Sequence, residues 1–263
     1  MTVIRSRDNS RIKAWARLAA EPKERRKRGR ALIEGIHLVE TFLAQGGVPE
    51  SLIVSESAAD KGETRRLLKQ CGVEPFVLTD TLFKRISDAE TPAGIAAEFV
   101  IPGDSVDAKE SLGCVFLEGI QDAGNVGTIL RSAAAFAIRD VFVGRGCADP
   151  WSPKALRAGM GGHFFLRVAV SEDLVEEVRR FGGESICTAA HGGKPIGSLT
   201  LAGRIGWIFG SEAAGVSEAM AAVASHVATI PTPGGAESLN VAASAAICLY
   251  ERQRQISTRV AGS

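Results

Sequence analysis

The feature that most constrains the fold is an alternation of short apolar segments with helix-forming segments along most of the 263 residues. Several apolar segments contain almost no polar side chain, which is typical of parallel strands covered on both faces. Strands that alternate with helices predict an α/β fold. The predicted strands lie at residues 31–34, 52–54, 76–78, 95–99, 114–118, 140–143, 166–170, 185–189, 206–209 and 227–230. The predicted helices lie at residues 8–20, 37–44, 63–70, 80–86, 126–136, 153–159, 173–181 and 239–253.

One polar stretch, residues 101–112, interrupts this alternation and has Pro102 and Gly103 near its start. Proline and glycine in a polar run are typical of a linker between domains. The sequence therefore predicts a smaller N-terminal α/β domain at residues 31–100 and a C-terminal α/β domain with a parallel sheet at residues 113–263.

The formal net charge of +1 hides an asymmetry between an N-terminal arm, residues 1–30, and the remainder of the chain. The arm contains eleven lysines or arginines and three acids, a net charge of +8, whereas the remainder nets −7. Such an arm, a helix followed by a charged connector at residues 23–30, indicates contact with a nucleic acid. The alternative is a solvated helix that only keeps the protein soluble. The candidate contact residues are Arg25, Arg26, Lys27 and Arg28.

Membrane insertion, secretion and metal binding are not expected from this sequence. The longest apolar run, residues 241–250, is too short for a membrane span, and the N-terminus lacks the apolar core of a secretory signal. The five cysteines are odd in number and show no C-x-x-C spacing, which favours free thiols in a reducing compartment. We therefore expect a cytoplasmic protein without a metal framework.

Three stretches of the C-terminal half place polar side chains at the junction between a predicted strand and the next helix. The first is residues 118–132. Gly124 and Gly127 allow a tight turn there. Asn125 stands at the expected helix cap, and Arg131 follows within two helical turns. Both can contribute to one end of the sheet. The alternative is that Asn125 only caps the helix and Arg131 only pairs with an acid.

Two further stretches, residues 209–217 and 230–247, have the same character. Glu212 is the only charge in a glycine-bounded loop, at a position where open α/β folds bind ligands. Its alternative role is to favour the N-terminus of the next helix. Ser238 and Asn240 stand at the start of an alanine-rich helix whose small residues permit close packing. Ordinary helix packing with Ser238 as the cap is the alternative there.

Standard ligand-binding motifs are absent from the sequence. No G-x-G-x-x-G follows the first strand of either half, and no G-x-x-x-x-G-K-[ST] occurs, so dinucleotide and P-loop sites are unsupported. No H-E-x-x-H or C-x-x-C pair indicates zinc. His163, one of four dispersed histidines, is expected to be structural or exposed rather than catalytic.

Taken in order, the three stretches resemble the SpoU/TrmH family of RNA methyltransferases in the SPOUT superfamily. The family motifs N-x-G-x-x-x-R, G-x-E-x-x-G and I-P followed by S-L-N-V stand here at residues 125–131, 210–215, 230–231 and 238–241. The resemblance covers about residues 113–255. Residues 1–100 resemble the family's N-terminal extension, an L30e-like substrate-binding domain preceded by a basic helix. One departure is Ala137, where the family often has glycine after the aromatic residue.

This resemblance implies a deep trefoil knot in the C-terminal domain, a homodimer whose active sites are completed across the subunit interface, and S-adenosylmethionine (AdoMet) as methyl donor. The implied cofactor contacts are the backbones of Gly210, Ile230 and Leu239. The implied catalytic set is Asn125, Arg131, Glu212, Ser238 and Asn240.

The resemblance also implies ribose 2′-O-methylation of RNA, with Arg131 nearest the hydroxyl. Arginine is a reluctant base. Either a neighbouring phosphate shares the proton or Arg131 orients the phosphate and the hydroxyl. Asn125 and Glu212 would fix substrate and loop, and Ser238 and Asn240 would hold Arg131 and the nucleotide.

Two alternatives stay open, a non-catalytic RNA-binding factor with the same fold and a base methyltransferase. The basic arm and the L30e-like domain favour ribosomal RNA over transfer RNA as the partner.

Overall fold

The computed structural model describes residues 2–103, 106–234 and 237–261, which form two compact units. Unit 1 consists of the residues up to Pro102 together with Asp149–Phe164. Unit 2 consists of Gly103–Ala148 and the residues from Phe165 onward. Within the described residues, no helix is both long and apolar enough to cross a membrane.

The elements before the division at Pro102 are β1 (Thr2–Ile4), α1 (Ser10–Ala20), α2 (Pro22–Arg28), β2 (Arg30–Glu34), α3 (Ile36–Ala44), β3 (Ser51–Ser55), α4 (Glu56–Ala59), α5 (Gly62–Cys71), β4 (Phe76–Leu78), α6 (Asp80–Lys84) and β5 (Ile95–Val100). The later elements are β6 (Cys114–Leu117), α7 (Ala123–Ala135), β7 (Asp140–Gly144), α8 (Pro153–Gly159), β8 (Arg167–Ser171), α9 (Leu174–Phe181), β9 (Glu184–Thr188), β10 (Lys194–Pro195), β11 (Ile205–Phe209), α10 (Glu218–Val223), β12 (His226–Thr229) and α11 (Val241–Ala261). Short 3-10 helices lie at Ala108–Glu110, Gly162–Phe165 and Ile196–Ser198.

The sheet of unit 1 has the order β1-β4-β3-β5-β2, with β1, β4 and β3 parallel and β5 antiparallel to both of its neighbours. Helix α1 packs into the core of this unit because Ile12, Trp15 and Leu18 recur on one of its faces. The Trp15 indole donates a 2.8 Å hydrogen bond to Oε2 of Glu98, which satisfies its buried N–H. The predicted smaller N-terminal α/β domain is confirmed.

The basic stretch after α1 is the helix α2, not a connector. Pro22 lies in its first turn, and Gly29 ends it with φ 60°, in the left-handed region that favours glycine. Arg25, on this helix, is only 2% exposed. It donates to two carbonyl oxygens of α1 and forms a 2.7 Å ion pair with Asp149. A guanidinium placed in this way joins α2 to the rest of unit 1.

Asp149–Phe164 belongs to unit 1 although it lies in the sequence between β7 and β8. Its aromatic side chains explain this placement. The Phe164 ring lies 5.1 Å from Phe42 and 5.7 Å from Phe99, and Trp151 lies 6.1 Å from Phe99 (centroid distances). The sequence analysis places Asp149–Phe164 in the C-terminal domain. Only the packing of the Trp151 and Phe164 rings against the core of unit 1 assigns this segment to unit 1.

The sheet of unit 2 has the order β10-β12-β9-β11-β6-β7-β8, and all of its neighbouring strands are parallel. The predicted parallel-sheet domain is therefore confirmed. Apolar residues of α9 and α10 pack against Phe116, Phe142 and Ile208 of the sheet. In a parallel sheet every strand ends at the same edge, so the loops after β6, β11 and β12 meet there.

The connections of unit 2 reverse direction between β6 and β11. From β6 the chain continues to β7 on one side, whereas from β11, on the other side of β6, it continues to β12 in the opposite direction. A crevice at such a switch point is where open α/β sheets bind ligands. The three polar stretches of the sequence converge at this edge.

Candidate active site

A cleft of about 740 Å³ opens at the carboxyl edge of the unit 2 sheet. Its volume lies within the range of about 300–1,000 Å³ typical of ligand-binding pockets. Its walls come from residues 187–191 at the end of β9, residues 210–216 after β11, and residues 230, 232 and 237–241 between β12 and the start of α11. Gly210, Glu212, Ile230, Ser238, Leu239 and Asn240 all line it. The structure thus brings together six of the eight residues predicted as catalytic or cofactor-binding.

The loop after β11, residues 210–217, is closed on itself. Ser211 and Gly215 exchange two backbone hydrogen bonds of 3.0 and 2.9 Å. A Cβ at Gly210 would lie 2.1 Å from the carbonyl carbon of Gly215, and Gly215 has φ 70°. Both glycines of the second motif are therefore required by backbone geometry. Every residue from Gly210 to Val216 lines the cleft.

Two side-chain hydrogen bonds join the three motifs through Asn240, Asn125 and Glu212, and these three residues are called the relay below. The Asn240 Oδ1 accepts from the backbone N–H groups of Ala242 and Ala243, at 2.9 and 3.2 Å, so its amide nitrogen points away from α11. That nitrogen donates to the Asn125 Oδ1 at 3.1 Å, and the Asn125 Nδ2 donates to the Glu212 Oε1 at 2.6 Å. Each amide has one orientation because a fixed backbone or carboxylate partner sets it.

The expected cap at Asn125 and the alternative cap at Ser238 are both wrong, and the residues that do cap these helices explain how the bonds between the motifs form. Asp122, not Asn125, caps α7 by accepting from the backbone N–H of Asn125 at 2.9 Å. Asn240, not Ser238, caps α11. Since Asn125 lies in the first turn of its helix, its side chain reaches across to Glu212. Glu212 accepts this bond from 87 residues away in the sequence instead of serving only the next helix.

Arg131 lies apart from the relay. It is exposed on α7 and does not line the cleft. In the described part of the chain its guanidinium makes no hydrogen bond or ion pair. Within one chain, Asn240 therefore holds Asn125 and not Arg131.

The cleft wall at the end of β9, residues 187–191, is a part of the site that the sequence does not predict. Its first residues fall within a predicted strand, and the sheet order alone places that strand beside β11. Burial raises the pKa of the Cys187 thiol in this wall, so it stays protonated and acts as a small apolar group. All five cysteines are free.

No group of three metal-binding side chains occurs among residues 2–103, 106–234 and 237–261. His163 is fully buried in unit 1, where its Nε2 lies 2.8 Å from the carbonyl oxygen of Pro150. Burial lowers the pKa of His163 to about 4. The structure thus places it in the core of unit 1, outside the cleft.

The predicted nucleic-acid contacts separate into two groups. Arg26, Lys27 and Arg28 are exposed on α2, and Arg28 pairs with Glu24. Arg25 is the exception, because its guanidinium is buried and engaged with Asp149. The prediction for Arg25 is therefore wrong, since a polyanion does not reach this side chain.

A family model described as the SpoU rRNA Methylase family matches residues 113–250, which include the whole relay. The chain belongs to the SpoU rRNA methylase family. The resemblance read from the three motifs is thereby confirmed. A second model, the MRM3-like substrate binding domain, matches residues 9–97.

Curated relatives of this SpoU protein match it over nearly its full length. It is 32% identical to the 23S rRNA (guanosine(2553)-2'-O)-methyltransferase RlmP of Bacillus subtilis (strain 168), over 95% of this chain and 98% of that protein.

Solved structures of related proteins also match this chain over nearly its full length. A crystal structure of an RNA 2'-O ribose methyltransferase is 29% identical with a TM-score of 0.80, covering 97% of this chain and 99% of that one. The SpoU methyltransferase AviRb of Streptomyces viridochromogenes, solved in complex with the cofactor AdoMet, is 26% identical with a TM-score of 0.83, covering 94% and 98%.

Proposed function

We propose that this SpoU protein transfers a methyl group from AdoMet to the 2′-hydroxyl of a ribose in ribosomal RNA. The observation that carries the proposal is the relay from Asn240 through Asn125 to Glu212, which fixes all three family motifs around one cleft. The names of the relatives support the reaction and the kind of RNA. A factor that only binds RNA has no evident need for this arrangement.

The cleft suits AdoMet by its size and by the backbone it exposes. Gly210, Ile230 and Leu239 line it and offer main-chain groups, since their side chains carry no polar atom. When bound, AdoMet supplies a methyl group on a positively charged sulfur, which is already a good leaving group. The protein must therefore align the ribose oxygen with that methyl group and assist loss of the hydroxyl proton.

Arg131 is the residue proposed to act on the ribose. Its guanidinium is permanently charged and offers five N–H donors, so it orients a phosphate and the hydroxyl beside it. Such an interaction stabilises negative charge on the oxygen as the proton leaves, and the neighbouring phosphate takes the proton. Asn125 and Glu212 keep the loop and α7 in register through their 2.6 Å bond.

A homodimer is part of the proposal. It is supported by an exposed apolar face at the C-terminal end of α7 and on α11. The ring centroids of Phe136 and Tyr250 lie 6.1 Å apart there, and Tyr250 is 56% and Ile247 39% exposed. The homodimer is also supported by Arg131, which is on α7 and does not line its own chain's cleft. Sedimentation of the wild type should give twice the chain mass, and Ile247→Asp should give monomers that have lost methyl transfer.

The trefoil knot implied by the family motifs also belongs to the proposal. The shared cleft of the loops after β11 and β12 supports it. A crystal structure that traces residues 230–261 relative to the loop at 210–217 tests it. A cytoplasmic location stays a prediction from the sequence.

The decisive experiment is incubation of the purified protein and labelled AdoMet with ribosomal RNA or transfer RNA from cells that lack the protein. Labelled ribosomal RNA is then mapped by alkaline hydrolysis. We expect label at one position, which resists alkaline cleavage because its 2′-oxygen is methylated. Label at a cleavable position would indicate base methylation. Label in transfer RNA alone would change the substrate, and AdoMet binding without any label would favour the RNA-binding factor.

A further inference from the structure

Glu118, the residue directly after β6, holds both ends of the loop that lines the cleft. Its backbone N–H donates to the carbonyl oxygen of Phe209, where the loop begins, at 2.9 Å. Its carboxylate accepts from Ser217, where the loop ends: the backbone N–H at 2.8 Å and the hydroxyl at 2.6 Å. One residue thus closes the base of the loop across 99 positions of sequence.

The bonds to Ser217 also fix the element that follows the loop. The Ser217 Oγ accepts from the backbone N–H of Met220 at 3.2 Å and so caps α10. Because the Glu118 carboxylate accepts the Ser217 hydroxyl proton, the Oγ lone pairs are directed to the helix. Hydrogen bonds to a charged carboxylate are about twice as strong as neutral ones.

The opposite side of the same loop is held by Asn125, seven residues after Glu118, through its bond to Glu212. A single segment between β6 and the first turn of α7 therefore contacts the loop at its base and at its tip. Glu118 does not line the cleft, whereas every residue from Gly210 to Val216 does. Any effect of Glu118 on a cleft ligand must pass through this loop.

We infer that Glu118 is a positioning residue for cofactor binding, which sets the loop at residues 210–217 against the cleft and aligns Glu212 with Asn125. The inference rests on the proposed function, because it takes AdoMet as the cleft ligand. A capping role for α10 alone would affect stability without affecting the affinity of the cleft.

The test compares binding of S-adenosylhomocysteine, the demethylated cofactor, by calorimetry in full-length variants. Glu118→Ala should raise its Kd about tenfold and raise the KM for AdoMet to a similar extent. Glu118→Gln should restore the Kd to within about threefold of wild type, since its amide carbonyl accepts from the Ser217 N–H and its NH₂ donates to the Oγ.

Ser217→Ala supplies a milder variant and a double-mutant comparison. It should raise the Kd by less than Glu118→Ala, because the backbone N–H bond of Ser217 to Glu118 remains. The double variant should lose less affinity than the sum of the two single losses, because both changes remove the hydroxyl–carboxylate bond. If Glu118→Ala fails to fold, the Gln and Ser217→Ala variants still decide the question.

Asp173→Ala is the matched control, because Asp173 caps α9 by accepting from the Glu176 N–H at 3.0 Å and lies outside the cleft. It should lower the urea midpoint without changing the Kd. A Glu118→Ala protein with an unchanged Kd and a urea midpoint lowered like that of the control would overturn the inference. If the wild type itself does not bind S-adenosylhomocysteine, the proposed function fails instead.

Discussion

Asn125 shows at the scale of single residues how much a motif position depends on its neighbours. Because Asp122 takes over the helix cap, the Asn125 side chain is free to donate to Glu212 and to accept from Asn240. The identity of these residues and their order are visible in the sequence. Which of them bond across the motifs is not, because the bonds of Asn125 to Glu212 and of Asn240 to Asn125 join positions 87 and 115 residues apart.

Arg131 gives the first prediction at this scale. Arg131→Ala should lower the rate of methyl transfer about a hundredfold or more, because charge on the ribose oxygen loses its positioned donor. The Kd for S-adenosylhomocysteine should stay within about twofold, since the proposed contacts of Arg131 are the phosphate and the hydroxyl of the RNA and not the cofactor. Arg179→Ala, which removes an exposed arginine from α9, is the control. Near-normal turnover of Arg131→Ala on its RNA would remove Arg131 from the mechanism.

His163 gives a prediction on pH. Burial lowers its folded-state pKa to about 4, from 6.5 in the unfolded chain, so the unfolded state binds the extra proton first. The contribution of neutral His163 to the free energy of unfolding is fully present above pH 6.5 and is lost as pH falls towards 4. The loss between pH 7 and pH 5 is about 2 kcal/mol.

Urea unfolding at pH 7 and pH 5 measures this His163 effect. His163→Gln should reduce the pH dependence by this amount, and His191→Gln, at an exposed histidine that forms no ion pair among the described residues, supplies the comparison. Equal pH dependence in all three proteins would show that His163 does not titrate as expected.

Ala137 matters at the scale of elements, since it ends α7 with φ 57° in the left-handed region. An alanine there is strained by roughly 1–2 kcal/mol, and glycine is not. Ala137→Gly should stabilise the protein by about 0.5–1 kcal/mol after the added entropy of the unfolded glycine is subtracted. Thermal unfolding measures the change. Ala134→Gly, inside the same helix, should destabilise by about 1 kcal/mol, and a destabilised Ala137→Gly would contradict the assignment.

The second prediction at the scale of elements concerns RNA binding by the exposed basic side chains of α2. Replacing Arg26, Lys27 and Arg28 by glutamine should weaken RNA binding and reduce the slope of log Kd against log salt by about 2–3. Fluorescence anisotropy across a salt series measures both. The control replaces Arg65, Arg66 and Lys69 on α5, which removes the same charge from another exposed helix face. Equal changes in both triple variants would indicate a net-charge effect without a specific RNA contact by α2.

At the scale of the whole molecule, a segment distant in sequence completes unit 1. Asp149–Phe164 provides the partner of the buried Arg25 and two aromatic side chains of the core. Residues 1–102 alone should therefore not unfold cooperatively, because Arg25 would keep a buried charge without its partner.

Linking Asp149–Phe164 to residues 1–102 through a flexible linker should restore a cooperative urea transition, measured by circular dichroism. The same linked chain with Asp149→Ala and Trp151→Ala should not regain it. A cooperative transition of residues 1–102 without the segment would show that the segment is dispensable.

The sequence by itself determined the α/β class, the parallel sheet of the C-terminal half, and the family with its polar residues. These features follow from local periodicity, and from motif residues whose geometry needs glycine or a short polar side chain. Only the tertiary structure decided that Arg25 is buried, that Asp149–Phe164 belongs to unit 1, and that Glu118 closes the loop at residues 210–217. Each of these depends on a contact between segments far apart in the chain, and no local pattern specifies which distant partner a buried charge, an aromatic ring or a carboxylate will meet.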